Sequence, residues 1–346
     1  MKIKLFVGKL LLFSIPFLLF LGLYFYLDPF KVVKHYDSYY RSGPNYITLN
    51  KDYVSTENWI NHHQQYNYDS YIFGNSRSMF YQVATWKNYI GSDSSKCYHF
   101  DASGESLYGI ARKCSFLAQQ NIKLKNVLII LDQGLLNKAD NSAGHLFIKD
   151  PRLSGESKLG FQVDMMKDFF DFDFLRALLD FKMSGKIKDY MKKEFLLDER
   201  PFQYDKVTNE IRLAYYEEMI KKDPTQYYVP RDYIFVPRDT TTQTVSPAVI
   251  KAQQMALLDT IRRIFQENQA DVRVVVSPLY DQKKINPADL QILQSVFGEK
   301  NVFDFSGIND ITRNKYNYYE ISHYRPHVAD QIMSIVYGAD HRTATN

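Results

Sequence analysis

Three residues from two distant parts of the sequence have the chemistry and spacing of a nucleophile, a base and an orienting acid. Ser76 follows the apolar start of YIFGNSRS, and Glu320 and His323 lie three positions apart in YYEISHY. Side chains at i and i+3 can meet, so the Glu320 carboxylate can accept the Nδ1 proton of His323 and leave Nε2 free as a base. Such a base within hydrogen-bond reach activates a serine hydroxyl. Taken singly, these features also fit a polar turn and a surface or capping pair.

Strand-like and helix-like segments alternate around these residues. Apolar runs typical of buried strands are interleaved with stretches of helical spacing, and the runs cover 70–73, 97–100, 126–131, 271–276 and 301–305. This alternation predicts an α/β fold, specifically a flavodoxin-like three-layer sandwich whose mainly parallel five-stranded sheet has helices on both faces.

Polar clusters follow four of the predicted strands. They cover 74–76, 101–104, 132–134 and 277–278. The carboxyl ends of parallel strands lie at one edge of the sheet, where α/β proteins form their sites. The sequence therefore places Ser76 at a shared rim, where a loop near the C-terminus can bring His323 to it.

The N-terminus carries the clearest local signal. Lys2, Lys4 and Lys9 precede an uncharged apolar run, 10–27, about 27 Å long as a helix, which ends in Tyr24-Phe25-Tyr26. A cleaved signal peptide would have a shorter apolar region and end in small residues. We therefore predict an uncleaved signal anchor in the cytoplasmic membrane, with the N-terminus inside and the main domain periplasmic or extracellular.

The remaining composition shifts divide the chain into four parts. They are a transmembrane helix (1–30), a juxtamembrane stalk with short helical pieces (31–66), a catalytic domain in two segments (67–134 and 246–340) and an insertion (135–245). Within the insertion, VDMMKDFFDFDFLRALLDF has the pattern of amphipathic helices and PFQYDKVTNEIRLAYY that of a hairpin.

Composition and motifs exclude several classes of function. The net charge is only +4, and the basic and acidic residues are interleaved, which disfavours nucleic acid as a partner. No P-loop, HExxH or CxxC pattern occurs, and the adjacent histidines His62 and His63 cannot share one face of a helix, so we expect neither a metal nor a nucleotide cofactor.

The two cysteines, Cys97 and Cys114, are predicted on a strand and on the helix after it. An exported domain permits a disulfide. However, a helix axis lies about 10 Å from its sheet and bridged Cα atoms lie closer than about 7 Å, so we expect two buried free thiols.

Together these motifs resemble the SGNH/GDSL hydrolases, in particular their membrane-anchored exported branch related to polysaccharide O-acetylation and D-alanylation proteins. Residues 67–134 and 246–338 carry the resemblance. Gly74-Asn75-Ser76 matches the G-D-S block with Asn75 in place of Asp, and EISH matches D-x-x-H with Glu320 in place of Asp. The resemblance implies Ser76 as nucleophile and Gly104 of DASGES as an oxyanion-hole donor.

The third block of the family, G-x-N-D, is altered here to LDQG. Gln133 can replace the missing Asn as an oxyanion donor, because its amide is chemically equivalent, or it can be structural. For Arg77 two roles are open, namely positioning of an anionic or hydroxyl-rich substrate and a salt bridge to the insertion. Asn75 is a second candidate for substrate binding.

These features lead to two alternative functions. The first is a serine esterase or O-acyltransferase that acts through Ser76, His323 and Glu320 on an acylated cell-envelope glycan or a small ester, in contact with envelope polysaccharide machinery. The second is a protein of the same fold that has lost catalysis and serves in binding or assembly, for which the altered third block and the Glu-for-Asp exchange are the supporting features.

Overall fold

Strands and helices alternate through most of the described chain, residues 2–195, 197–236 and 241–343 of a computed structural model. The strands are β1 (Ser70–Gly74), β2 (Cys97–His99), β3 (Asn126–Leu131), β4 (Gln203–Asp205), β5 (Glu210–Arg212), β6 (Asp271–Val276), β7 (Val302–Asp304), β8 (Tyr318–Glu320) and β9 (His323–Tyr324). The helices are α1 (Lys2–Leu27), α2 (Lys51–Tyr66), α3 (Val83–Ile90), α4 (Leu107–Gln119), α5 (Gln133–Asn137), α6 (Pro151–Ser154), α7 (Lys158–Phe169), α8 (Phe172–Ser184), α9 (Ala214–Lys222), α10 (Pro224–Tyr228), α11 (Ala252–Asn268), α12 (Pro287–Phe297) and α13 (Pro326–Thr343).

A five-stranded parallel sheet in the order β2-β1-β3-β6-β7 forms the centre of the molecule. The central strand β3 is buried along its whole length, which explains why its sequence, NVLIIL, is apolar without alternation. The strand order reverses between β1 and β3, the point at which flavodoxin-like folds bind ligands. The predicted fold class is confirmed.

Helices cover both faces of this sheet. Leu107 of α4, Leu258 of α11 and Leu293 of α12 belong to the apolar core on one face. Trp86 of α3 and Ile332 of α13 belong to the core on the other. The carboxyl ends of β1 and β3 are left uncovered between these layers, and the loops that follow them form the rim of the sheet.

Residues 31–66 were predicted to form a stalk with short helical pieces. Instead, α2 is one continuous helix that packs on the domain built around the central sheet. Trp59 lies in the main core, and the polar side chains of Asp52 and Thr56 are buried as well. Because its buried face mixes apolar residues with polar residues that pair with other segments, α2 shows no apolar period in the sequence.

Residues 135–245 leave the sheet after β3 and contain the predicted amphipathic helices, α7 and α8, and the predicted hairpin, β4–β5, which pairs antiparallel. Helices α7 and α8 share an apolar core with the end of α1, here called the anchor cluster. It consists of Tyr24, Phe30, Val32, Ile148, Phe161, Met165, Phe169, Phe174 and Leu178.

Helix α1 is long and apolar enough to cross a membrane over Phe6–Leu27. Most of its surface is exposed, and Tyr24 is its buried contact with the rest of the protein.

Both cysteines are buried and free, as predicted. Cys97 lies on β2 and Cys114 on α4, each facing a different side of the sheet, because Cys97 joins the core beneath α13 and Cys114 the core beneath α4. Burial raises the pKa of the Cys97 thiol to about 12, so this thiol is protonated and unreactive at neutral pH.

Candidate active site

The turn after β1 presents Ser76 at the rim of the sheet. Gly74 ends the strand so close to β3 that a Cβ atom there would lie 2.8 Å from the Ile130 carbonyl oxygen and 2.9 Å from the Ser78 Cβ. Ser78 donates its hydroxyl proton to the Asn75 carbonyl at 2.7 Å, which closes the turn. Glycine at position 74 therefore allows the chain to bend sharply and leave Ser76 partly exposed beside the next strand.

The hairpin of β8 and β9 places the base against this serine. Glu320 and His323 are paired across the hairpin. The Ser76 hydroxyl lies 2.6 Å from His323 Nε2, and His323 Nδ1 is hydrogen-bonded to the Glu320 carboxylate. With Nδ1–H donating to Glu320, Nε2 carries the lone pair that accepts the proton of Ser76. The three predicted residues thus form one hydrogen-bonded chain.

The environment of Glu320 keeps its carboxyl ionised. Burial raises the pKa of Glu320, but the hydrogen bond and charge of His323 and two hydrogen bonds from Ser322 outweigh that effect, so the pKa lies below its ordinary value. The Ser322 backbone N–H donates to Glu320 Oε2 at 3.0 Å, and the Ser322 hydroxyl donates to both carboxylate oxygens. An ionised, fixed carboxylate is what orients an imidazole and stabilises it once it is protonated.

Arg77 joins the serine turn to the histidine turn. Its Nε donates to the Ser322 carbonyl at 3.0 Å, and its Nη1 lies 2.8 Å from Asp132 Oδ2. Asp132, at the end of β3, also accepts from the side-chain amide of Asn75, which is buried. The ion pair of Arg77 is therefore made within the rim and not with the insertion, and both candidate substrate-binding residues are engaged in holding the two turns together.

The predicted oxyanion donors differ in their positions. The loop carrying Gly104 runs beside the serine turn, since the Ala102 N–H donates to the Gly74 carbonyl at 3.2 Å. Gly104 adopts a left-handed conformation with φ +59°, and a Cβ there would lie 3.0 Å from the Phe147 ring. Within the described chain, no hydrogen bond from the backbone N–H groups of Ser76 and Gly104 to a protein acceptor is observed.

Gln133 lies apart from this group. It begins α5, and its side-chain amide donates to the Pro247 carbonyl at 3.1 Å. Asp132 caps the helix by accepting from the Leu135 N–H at 3.0 Å, so the backbone direction after β3 is fixed. Gln133 is not among the residues that line the cavity at Ser76.

A cavity of about 690 Å³ opens at Ser76 and His323. Its inner wall includes Ser103, next to Gly104, and Met79. Its outer walls come from the segment before α2, from the insertion and from Tyr319 of β8. They are rich in aromatic and aliphatic side chains: Tyr40, Ile47, Leu49, Leu146, Phe147, Phe202, Ile211, Leu213, Tyr216, Tyr227 and Tyr319. The charged side chains Asp198, Arg200 and Arg231 complete the outer part.

Two features of the site were not identified from the sequence. The sequence-based prediction includes Asp132 only as a member of the polar cluster 132–134. Its position directly after a buried strand and its N-capping role are nevertheless recognisable in the sequence. The residues of the outer cavity walls could not be recognised from the sequence, because they lie far apart in the chain and belong to no motif. Among the described residues, no group of three or more His, Cys, Asp or Glu side chains is placed to hold a metal ion.

No family model, curated protein or solved structure matches the chain. The resemblance to the SGNH/GDSL hydrolases therefore stays a prediction that depends on the short motifs around Ser76, Gly104 and His323.

Proposed function

We propose that the protein is a serine esterase or O-acyltransferase of the SGNH type, acting on acyl esters of cell-envelope glycans. The supporting observation is the hydrogen-bonded chain from Ser76 through His323 to Glu320 at the mouth of a cavity. Its location at the reversal of strand order, with two backbone N–H groups beside the serine, agrees with the proposal.

In this mechanism the Ser76 oxygen attacks the ester carbonyl carbon while His323 Nε2 takes the hydroxyl proton. The negative charge that develops on the carbonyl oxygen is stabilised by the N–H groups of Ser76 and Gly104. His323 then gives the proton to the departing alkoxide oxygen, which leaves an acyl group on Ser76. Water, or a hydroxyl of an acceptor, gives its proton to His323 and attacks this acyl group, and the returning proton restores Ser76.

The choice of substrate class is supported by the N-terminal helix and by the cavity. A membrane helix followed by a domain outside the cytoplasm would bring the site to envelope components. Rings such as those of Tyr40 and Phe202, which line the outer wall, offer the flat apolar surfaces on which sugars stack.

The test is covalent labelling of the full-length protein, purified in detergent, with a fluorophosphonate probe. The intact protein is expected to be labelled, and Ser76→Ala and His323→Ala are expected not to be. Ser103→Ala serves as the matched control, because Ser103 lines the same cavity without contacting His323, and it is expected to label normally. With labelling established, acetyl release from p-nitrophenyl acetate with and without an oligosaccharide acceptor separates an esterase from a transferase.

The second candidate, a binding or assembly protein without catalysis, is favoured by one observation. The side-chain amide of Gln133 is engaged with Pro247, so the third donor of the family's oxyanion hole is missing. A folded protein, by circular dichroism, that takes up no fluorophosphonate would exclude the serine nucleophile and leave this candidate.

A further inference from the structure

The last three turns of α1 pack sideways against the α7–α8 hairpin of the insertion. The ring centre of Phe170, in the turn between α7 and α8, lies 6.3 Å from that of Phe17 and 6.4 Å from that of Phe20. Farther along α1, Tyr24 contacts Phe169 with ring centres 5.4 Å apart and donates its hydroxyl proton to Gln162 at 2.7 Å. Thus α7 runs back along α1, and its C-terminal end lies beside the interior of the apolar span.

The rise per residue of α1 gives the depth at which these contacts would lie in a bilayer. The run Tyr24-Phe25-Tyr26 has the composition of an aromatic belt at the level of the lipid headgroups. At 1.5 Å per residue, Phe20 lies about 6 Å and Phe17 about 10 Å below Tyr24 along the helix axis. The hairpin turn that contacts both of these rings therefore lies below the belt, at the depth of 5–10 Å reached by helices that bind in the membrane interface.

The exposed surface next to the hairpin turn is apolar, as this position requires. Phe172, the first residue of α8, is 74% exposed and lies two residues after Phe170. Its ring continues the apolar surface that α1 offers to lipid.

Acidic residues at the turn limit how deep the hairpin can lie. Asp171 caps α8 by accepting from the N–H groups of Asp173 and Phe174 at 3.0 Å, so part of its hydrogen-bonding need is met internally. Asp168 accepts from the backbone N–H and the ring of His145. Carboxylates remain costly in hydrocarbon but tolerable among headgroups, so the turn fits the boundary between headgroups and acyl chains and not the centre of the bilayer.

We propose that the turn of the α7–α8 hairpin is a second membrane attachment, which inserts Phe170 and Phe172 into the leaflet that surrounds the C-terminal half of α1. The occupant of this surface is lipid and not a second protein chain, because the surface is continuous with the part of α1 that is apolar enough to span a bilayer. The proposal rests on α1 being in the membrane, and it does not depend on the proposed catalysis.

The test uses the full-length protein in lipid nanodiscs with an added tryptophan. In Phe172→Trp the new indole replaces an exposed ring, whereas the native Trp59 and Trp86 are buried and supply a constant background that is subtracted with the parent protein. We expect the added emission to be blue-shifted and to be lost when the nanodisc lipids carry bromine on their upper acyl carbons.

Tyr233→Trp is the matched control, because Tyr233 is 79% exposed on a segment that does not contact α1 or the hairpin. Its emission is expected to be quenched by aqueous iodide and to be unaffected by brominated lipid. Quenching of the Phe172 position by iodide alone would overturn the proposal. So would blue-shifted emission that brominated lipid leaves intact, since that result would mean that another protein chain covers the hairpin.

Discussion

Arg77 links the two turns of the site with one side chain, since it donates to the Ser322 carbonyl and pairs with Asp132. The sequence suggested a role toward the substrate or the insertion. The position it takes makes the distance between Ser76 and His323 depend on a buried ion pair at the strand ends. The hydrogen bond of 2.6 Å between the Ser76 hydroxyl and His323 Nε2 needs such support, because loops alone do not position side chains to within a fraction of an ångström.

At the same scale, Glu320→Gln tests whether the carboxylate serves the histidine. The amide keeps the shape of the side chain but removes the negative charge and can present N–H to Nδ1, which favours the wrong tautomer of His323. We expect the rate of fluorophosphonate labelling to fall by roughly 100-fold to 10,000-fold. The measurement is the labelling rate under single-turnover conditions.

Asp310→Asn provides the comparison for that variant, because it removes a carboxylate that is fully exposed in the same C-terminal region. Its labelling rate is expected to stay within about twofold of the parent, as is usual for exposed ion pairs. A Glu320→Gln protein that labels as fast as Asp310→Asn would mean that His323 does not need its carboxylate.

The sequence predicted the positions of some residues of the site better than those of others. Ser76, Glu320 and His323 were placed together because each belongs to a short motif whose chemistry is local. The position of Gln133 was not settled, because whether its amide turns toward the serine or toward Pro247 is decided by packing between segments 114 residues apart. Side-chain direction of this kind is a tertiary property.

At the scale of elements, a buried group of four charges connects three parts of the chain. Lys113 of α4 lies 2.8 Å from Asp52 of α2 and 2.5 Å from Glu105, and Lys149 of the insertion lies 2.6 Å from Glu105 and 3.3 Å from Asp52. All four side chains are almost completely buried. Glu105 directly follows Gly104, so this group also fixes the loop that carries the candidate oxyanion donor.

Replacing Lys149 with Met is expected to destabilise the protein by about 3–5 kcal/mol, because Asp52 and Glu105 then share a single buried cation. The measurement is the free energy of unfolding from urea titration in detergent. Arg263→Met is the control, since Arg263 is an exposed member of an i,i+4 pair on α11 and is expected to change stability by less than about 1 kcal/mol. Equal effects of the two substitutions would contradict a buried, charged role for Lys149.

Strands and helices could be predicted from the sequence where their buried faces consist of apolar residues alone. Strand β3 is apolar on both faces, and its sequence gave its bounds correctly. Helix α2 was missed because Asp52 and Ser55 are buried polar residues, and their partners, such as Lys113 and the Asp101 carbonyl, lie in segments that a local pattern does not include. The parallel sheet with helices on both faces followed from general rules of α/β folds, whereas the packing of the insertion did not.

At the scale of the whole molecule, the insertion is attached to the last part of the chain by an ion pair. Glu217 of α9 accepts from Arg325 at 2.8 and 2.7 Å, just before α13 begins. Burial raises the pKa of Glu217, but the hydrogen bonds from Arg325 and Tyr319 and the charge of Arg325 outweigh it and hold the pKa below its ordinary value of 4.5. The folded state therefore binds this proton less readily than the unfolded state does.

The sign of the pH dependence follows from linkage. The stabilising contribution of Glu217 is present above its unfolded pKa and is lost as the pH falls below about 4.5 through the lower folded value. We expect the unfolding free energy of the parent protein to drop over this range and Glu217→Gln to lose less of its stability there. Urea titrations from about pH 7 to about pH 3 measure both.

Glu218→Gln is the matched control on the same helix, because Glu218 is exposed. We expect it to reproduce the pH dependence of the parent. If Glu217→Gln has the same pH dependence as well, the ion pair with Arg325 makes no net contribution to the stability of the folded protein.

The cavity and the proposed membrane attachment lie next to each other in the chain. Leu146 and Phe147 line the cavity, and the next residue, Ile148, packs in the anchor cluster with Tyr24 and Phe30. With the hairpin attached as we propose, the opening of the site would be held at a fixed height above the bilayer. Substrates would then reach it along the membrane surface more readily than from bulk solution.

The spacing of Ser76 and His323 along the chain has a consequence for the making of the protein. The two residues are 247 positions apart, and His323 lies on the last hairpin before the final helix. In a chain exported from its N-terminal end, Ser76 emerges long before its partner has been translated. On the proposed mechanism the serine has no base during all of that time, so an unfinished chain would not form the acyl-enzyme. Completion of synthesis would then be the step that brings Ser76 and His323 together.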